Sequence, residues 1–335
     1  MLESPLSGTY TVGPNGDFLT LTEANTALHT EGVSGPVIFQ LESGIYTEQI
    51  TINGILGTSE VNTITFESQT GNAADVTVRI SATSVNNFTI NLVNASHLRF
   101  RNLTLAALGS SYGRILTASG EINDLSIENV SFSSPVSGSN NNRTNIYFDL
   151  SLANGIQFID NTISGGFTGL FLNASSSNEI LAEGVVIRGN EIRNVRNAGI
   201  ELNRLTGPVI EKNDVLINST STNSYPFQLG NSKGAISVLS NKFVGGTRYG
   251  LYMVNCESTP ENKGLVANNA IVSRSGGFQS ARFDGISNIR IVHNSIHNYS
   301  AGGGLYYLWI LNGSGNEIVN NLIKTNTGPV LEIPG

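Results

Sequence analysis

The sequence predicts an all-β, right-handed parallel β-helix, a solenoid with three short strands per coil of about 27 residues. Three observations carry this: a turn phrase that recurs along the chain, a strand phrase that falls between its copies, and a composition poor in charge but rich in turn formers.

The turn phrase is a short apolar-alternating run, then Asn, then a short residue, then Ile, Val or Phe. It reads Asn129-Val130-Ser131-Phe132, Asn161-Thr162-Ile163, Asn190-Glu191-Ile192, Asn213-Asp214-Val215, Asn241-Lys242-Phe243, Asn269-Ala270-Ile271, Asn294-Ser295-Ile296 and Asn321-Leu322-Ile323. Successive asparagines are 32, 29, 23, 28, 28, 25 and 27 residues apart. Asn suits such a turn because it tolerates left-handed backbone, and because its amide can bond to the Asn stacked above it.

The strand phrase is Gly-apolar-x-apolar-Asn: Gly169-Leu170-Phe171-Leu172-Asn173 and Gly199-Ile200-Glu201-Leu202-Asn203. Related forms are Phe227-Gln228-Leu229-Gly230-Asn231, Gly250-Leu251-Tyr252-Met253-Val254-Asn255 and Leu308-Trp309-Ile310-Leu311-Asn312. Each alternates with period two. Together with the strand after the Asn turn, these phrases fill a three-stranded coil. A leucine-rich repeat would need Leu at several fixed offsets, and a helical solenoid would need a 3.6-residue period; neither pattern occurs.

Composition agrees. Of 335 residues, 13% are charged, about half the usual globular share, while 39% are hydrophobic, enough for a core. Thirty-seven glycines against nine prolines indicate many tight turns. The net charge of -7 and the lack of a basic stripe argue against nucleic acid as a partner. The single cysteine, Cys256, excludes an intrachain disulfide and reads as a small buried turn residue rather than a nucleophile. No apolar run approaches the ~20 residues of a membrane span. Met1-Leu2-Glu3-Ser4-Pro5 does not read as a signal peptide.

Near the N-terminus, Leu19-Thr20-Leu21-Thr22-Glu23-Ala24-Asn25-Thr26-Ala27-Leu28 predicts one short helix, with Thr22 ahead of its apolar positions, as a cap over the open end of the stack. The C-terminal Gly328-Pro329-Val330-Leu331-Glu332-Ile333-Pro334-Gly335 carries no evident cap. The expectation is one β-helix domain over 1–335, with cap and first coil in 1–50 and stacked coils in 51–335, excised from a larger exported protein.

Asn15-Gly16-Asp17-Phe18-Leu19-Thr20-Leu21-Thr22-Glu23-Ala24 and Gly44-Ile45-Tyr46-Thr47-Glu48-Gln49-Ile50-Thr51-Ile52 resemble the opening of the pectin-lyase-like β-helix superfamily. The resemblance covers about 50 residues and implies the fold, not an activity. Motif sets of pectin methylesterases and polygalacturonases are missing, as is an Asp/Glu cluster like the calcium site of a pectate lyase. The Gly8-Thr9-Tyr10-Thr11-Val12-Gly13 start and Val33-Ser34-Gly35-Pro36-Val37 resemble β-helix modules of large Bacteroidetes-type exported surface proteins.

Alternation assigns outward side chains. Leu170 and Leu172 point in, so Phe171 points out. The same rule places Tyr147, Asp149, Glu201, Gln228, Tyr252, Arg282, Tyr307 and Trp309 outward, each on a successive coil. With strands ~4.8 Å apart they would form a vertical row. Such aromatics among carboxylates, Arg and amides suit sugar binding, since rings stack on pyranose faces while polar groups bond hydroxyls. The other reading is an aromatic stack that only stabilises the sheet.

An enzyme reading draws on Glu201, Arg282, Tyr252 and Asp149. Asp149 and Glu201, placed two coils apart at about 9.6 Å, fall near the upper end for an inverting glycosidase pair; Glu201 and Asp284, at about 14 Å, are too far. A lyase could use Arg282 between Tyr252 and Tyr307 with Asp284 beside it. His29, His97, His293 and His297 read as surface turn residues. No cofactor is expected, and Ca²⁺ has no clear site.

The sequence therefore points to a secreted or cell-surface, monomeric, non-enzymatic module that binds polysaccharide or cell-surface glycan, or serves as an adhesin stalk. The alternative is a polysaccharide lyase or glycoside hydrolase acting on an acidic polysaccharide at the outward face.

Overall fold

The computed structural model describes residues 4–136, 140–174, 182–218, 221–274, 279–298, 307–324 and 331–332. Residues 1–3, 328–330 and 333–335, on which the reading of the two chain ends partly rests, lie outside the described residues.

Alternating apolar residues bury one side of each strand. In Thr168–Ala174, Leu170 and Leu172 are fully buried while Phe171 is half-buried and outward. Every coil repeats this choice, so burial stacks in columns. Ile146, Leu170, Ile200, Phe227, Leu251, Ala281 and Leu308 pair in parallel register from coil to coil, as do Phe148, Leu172, Leu202, Leu229, Met253, Phe283 and Ile310. The chain therefore forms a parallel β-helix around one continuous apolar cluster that runs from Leu6 to Ile310.

Each coil has three faces. The first carries Ile50–Asn53, Ile90–Val93, Thr168–Ala174, Ala198–Asn203, Tyr225–Gly230, Leu251–Val254, Ala281–Asp284 and Leu308–Leu311. The second carries strands such as Val33–Leu41, Ile64–Ser68, Leu98–Arg101 and Val209–Glu211. Two long strands, Leu116–Glu128 and Ile146–Ile159, run through both faces and merge them into one parallel sheet of 23 strands among the described residues. Leu116–Glu128 turns the corner at Gly120, whose φ of 77° is left-handed and where the pairing register shifts. Among the described residues the third face is an 11-stranded sheet from Gly44–Tyr46 to Leu322–Lys324.

The asparagine phrase marks the corner between the second and third faces, but its physical basis differs from expectation. Asn161, Asn190, Asn213, Asn241, Asn269 and Asn294 are 1–2% exposed, and each donates from Nδ2 to Oδ1 of the next asparagine at 2.9–3.0 Å. Their Nδ2 groups also reach the preceding coil's carbonyls, at Ile127, Phe158, Ile187, Ile210, Val238 and Val266. The left-handed residue is instead the one before: Asp160, Gly189, Lys212, Ser240, Asn268, His293 and Asn320. Asn129 belongs with these, since its φ is 50°, and the ladder meets that coil at the Val130 N–H, which donates to Asn161 Oδ1. Two roles assigned to one residue are thus split between neighbours.

The described residues hold one α-helix, Leu21–Glu31, which begins one residue before Thr22. Thr20 is the N-cap and accepts from the Glu23 N–H. Glu48 of the Gly-x-Tyr-x-Glu phrase adds a second cap, taking the Leu21 and Thr22 N–H groups at 3.1 and 2.8 Å. Tyr46 of the same phrase donates its hydroxyl to the Val12 and Glu42 carbonyls, and burial pushes its pKa up to about 12. The helix covers the outermost strand of the first face. Asn25 Nδ2 donates to the Thr51 carbonyl and His29 Nε2 accepts from the Asn53 N–H, so side chains satisfy an edge that lacks a neighbouring strand. His29 is therefore part of the cap and not a surface turn residue.

Candidate functional site

The outward residues of the first face form a register-locked row. Pairing runs Asn91, Thr117, Tyr147, Phe171, Glu201, Gln228, Tyr252, Arg282 and Trp309, one residue per coil. All but buried Thr117 are half-buried, with core on one side and open space on the other.

Two expected members are misplaced. Tyr307 is 1% exposed, because it precedes Leu308–Leu311 at the corner entering the first face, where strand alternation does not apply; Trp309 alone holds that coil's row position. Asp149 shares a strand with Tyr147 and lies in the next column, in register with Asn173 and Asn203. Its backbone is therefore about 12 Å from that of Glu201, not 9.6 Å. Asp149 accepts from Asn173 of its own column at 2.9 Å, while Glu201 is hydrogen-bonded with Tyr225 at the start of the neighbouring strand. No two-carboxylate hydrolytic pair is assembled there, because such pairs need about 5–9.5 Å.

Tyr147 and Phe171 stack at 5.0 Å between centroids and 14° between planes. The Arg114 guanidinium lies 3.5 Å from the Tyr147 centroid, held by its Nε donating to the Asn141 carbonyl. Loops before Ile90, Leu116 and Ile146 rise beside these rings and enclose a cleft of about 420 Å³, lined among others by Asn87, Asn91, Arg114, Tyr147 and Asp149. At Phe167 and Asn197 the corresponding connections are short, so the wall drops away.

Glu201 sits next along the row. Burial pushes its carboxyl above the ordinary carboxylate range, and the hydrogen bond with Tyr225 offsets this only in part. Tyr225 is itself 8% exposed, and burial followed by the Glu201 charge pushes its phenol up.

A second cluster surrounds Arg282. Its guanidinium lies 4.6 Å from the Trp309 ring, 5.6 Å from Tyr249 and 5.7 Å from Tyr252. Nη1 donates to the Tyr249 hydroxyl at 3.0 Å and Nη2 to Asp284 at 2.8 Å. Tyr249 and Tyr252 pack at 4.8 Å. The guanidinium is thus fixed as one layer of an aromatic plate.

Beside the row runs an outer amide ladder. Asn173 donates to Asp149, Asn203 to Asn173, Asn231 to Asn203 and Asn255 to Asn231, at 2.7–3.1 Å. Alternation could not identify Arg114, Tyr225 or Tyr249, because they come from strand ends and loops. Among the described residues no group of three or more His, Cys, Asp and Glu is placed to hold a metal ion, and no helix is long and apolar enough to cross a membrane. His97 bonds Asp124 rather than lying free in a turn. Cys256 is fully buried, and burial pushes its thiol pKa up to about 12.

A scan of family models returns no match, and neither does a search of curated proteins. Solved structures do match. A GH136 lacto-N-biosidase from Eubacterium ramulus is 11% identical, with a TM-score of 0.56 over 97% of this chain and 68% of that one. A rhamnogalacturonan lyase (11% identity, TM-score 0.49, 96% and 86% covered) and PfbA, a surface adhesin of Streptococcus pneumoniae (12%, 0.47, 93% and 89%), also match. The chain thus has the parallel β-helix fold that its opening residues suggested, and at these identities the likeness is one of fold alone.

Proposed function

We propose that the protein is a secreted or cell-surface module that binds polysaccharide or cell-surface glycan on its first face, as a monomer, without cofactor and without turnover. The observation that carries this reading is the locked row itself: rings, a carboxyl, amides and a guanidinium follow one another at one residue per coil on a single face. The half-buried rings of Tyr147, Phe171, Tyr252 and Trp309 present apolar edges along the row, while Glu201, Gln228 and Arg282 offer hydrogen bonds to hydroxyls. A glycan array together with reducing-sugar and unsaturated-uronate assays tests it. Retention without turnover is expected. Absence of retention would remove the binding reading, and turnover of any polymer would remove the non-enzymatic one.

A second reading, a lyase or glycoside hydrolase, is favoured by one observation: Glu201 beside Tyr225, whose carboxyl pKa burial pushes up. Such a carboxyl suits a general acid. If an activity is detected, Glu201→Gln, Arg282→Ala and Tyr252→Phe should each reduce it; an unchanged rate in all three rules this site out.

A further inference from the structure

The first face holds two built subsites joined by a track. One is the cleft in which Arg114 lies on Tyr147 beside Asp149. The other is the plate of Tyr252, Arg282 and Trp309, backed by buried Tyr249. Tyr147 and Trp309 are six coil steps apart, about 29 Å at the strand spacing. Between them each coil contributes one row residue, and four asparagines run alongside. An amide nitrogen has two N–H donors, and the ladder occupies one of each. The track therefore repeats polar groups at the coil rise.

Charge narrows the ligand. Arg114 is attracted to Asp149, and Arg282 is bonded to Asp284. Glu201 lies between the two subsites, and the chain carries a net charge of -7. A polyanion would meet no excess of positive potential along this face.

Shape narrows it further. From Tyr147 to Trp309 the row keeps one residue per coil without a register shift, so its groups repeat at the strand spacing, and an extended ribbon keeps contact with both subsites while a coiled glycan lifts off between them. The geometry points to an uncharged, extended, equatorially linked polysaccharide that lies parallel to the helix axis and bridges the Arg114–Tyr147 cleft and the Arg282–Trp309 plate. This rests on the proposed glycan binding and specifies the class of glycan. Its consequence is a steep dependence on chain length, because engaging the second subsite becomes intramolecular once the ligand spans both.

Calorimetric titration of the full chain with cello-oligosaccharides, from the dimer to the heptamer, and with oligogalacturonates of the same lengths tests it. The heptamer should bind on the order of a hundredfold tighter than the dimer, and tighter than any oligogalacturonate. Tyr147→Ala or Trp309→Ala should each return the heptamer to the dimer's affinity. Tyr147→Phe should keep the length dependence, which separates loss of a platform from loss of folding. Equal affinity for dimer and heptamer, or preference for oligogalacturonate, overturns the inference. Retention of other polysaccharides on the array without cello-oligosaccharide binding also overturns it while leaving glycan binding intact; retention of no glycan defeats the underlying reading itself.

Discussion

Tyr147 and Phe171 occupy the same position on consecutive coils and stack at 5.0 Å with planes 14° apart, while the Arg114 guanidinium lies 3.5 Å from the Tyr147 centroid. The stack is half-buried, so its contribution to stability is modest, about 1 kcal/mol beyond area burial. Phe171→Ala should therefore lower the melting temperature by only a few degrees, yet abolish most retention of a bound glycan. A large loss of stability with retained binding would mean that the stack only staples the sheet.

The inner and outer asparagine ladders should respond differently. Asn241 is 2% exposed and bonds Asn213, Asn269 and the Ile210 carbonyl. Asn241→Ala orphans those buried groups and should destabilise by about 3 kcal/mol in chemical denaturation. Asn203→Ala, in the half-exposed outer ladder, should cost under about 1 kcal/mol because water replaces the lost partners. Equal effects would contradict the burial difference.

Glu201 gives a pH signature of definite sign. Burial raises its folded pKa above the unfolded value, so the folded state holds the proton more tightly. The stabilising contribution is complete below the unfolded pKa, near 4.5, and is lost as pH rises through the raised folded pKa. Glu201→Gln removes this titration, so the melting temperature of the variant relative to the parent should climb as pH rises from about 4.5 toward neutrality. Asp124 shifts the opposite way, since hydrogen bonds from Arg99 and His97 outweigh its burial; its contribution is lost as pH falls and cancels in the difference between variant and parent. A pH-independent difference would refute the assignment.

Glu48→Ala removes the carboxylate that takes the Leu21 and Thr22 N–H groups. A loss of about 1 kcal/mol is expected from cap and helix dipole together. Amide hydrogen exchange should quicken first at Leu21 and Thr22. Unchanged protection there would show that Thr20 alone suffices as cap.

What could be read without coordinates depended on locality. Leu170, Phe171 and Leu172 declare inside and outside by parity, because a strand's alternation is a property of adjacent residues. That parity correctly placed Tyr147, Phe171, Glu201, Gln228, Tyr252, Arg282 and Trp309 in one column. It failed at Tyr307, where the chain is rounding a corner and parity has no meaning. It also put Asp149 on a coil of its own, because a stretch of strand shared with Tyr147 does not announce its offset along the face. The asparagine period is legible, yet Asn129 sits one residue out of register with the ladder, since Asn serves both in the ladder and in the left-handed corner beside it.

The sequence by itself determined the coil: a period, an inward apolar pair, a turn residue and a cap phrase whose Tyr46 and Glu48 each carry a definite bond. Tertiary structure alone decided which groups meet across coils. Connections of unequal length bring Arg114 over Tyr147, Tyr225 onto Glu201 and Tyr249 under Arg282. A repeat constrains neighbours along the chain through short-range sterics and burial, whereas lateral contacts depend on how each loop folds back over the stack, which no local pattern encodes.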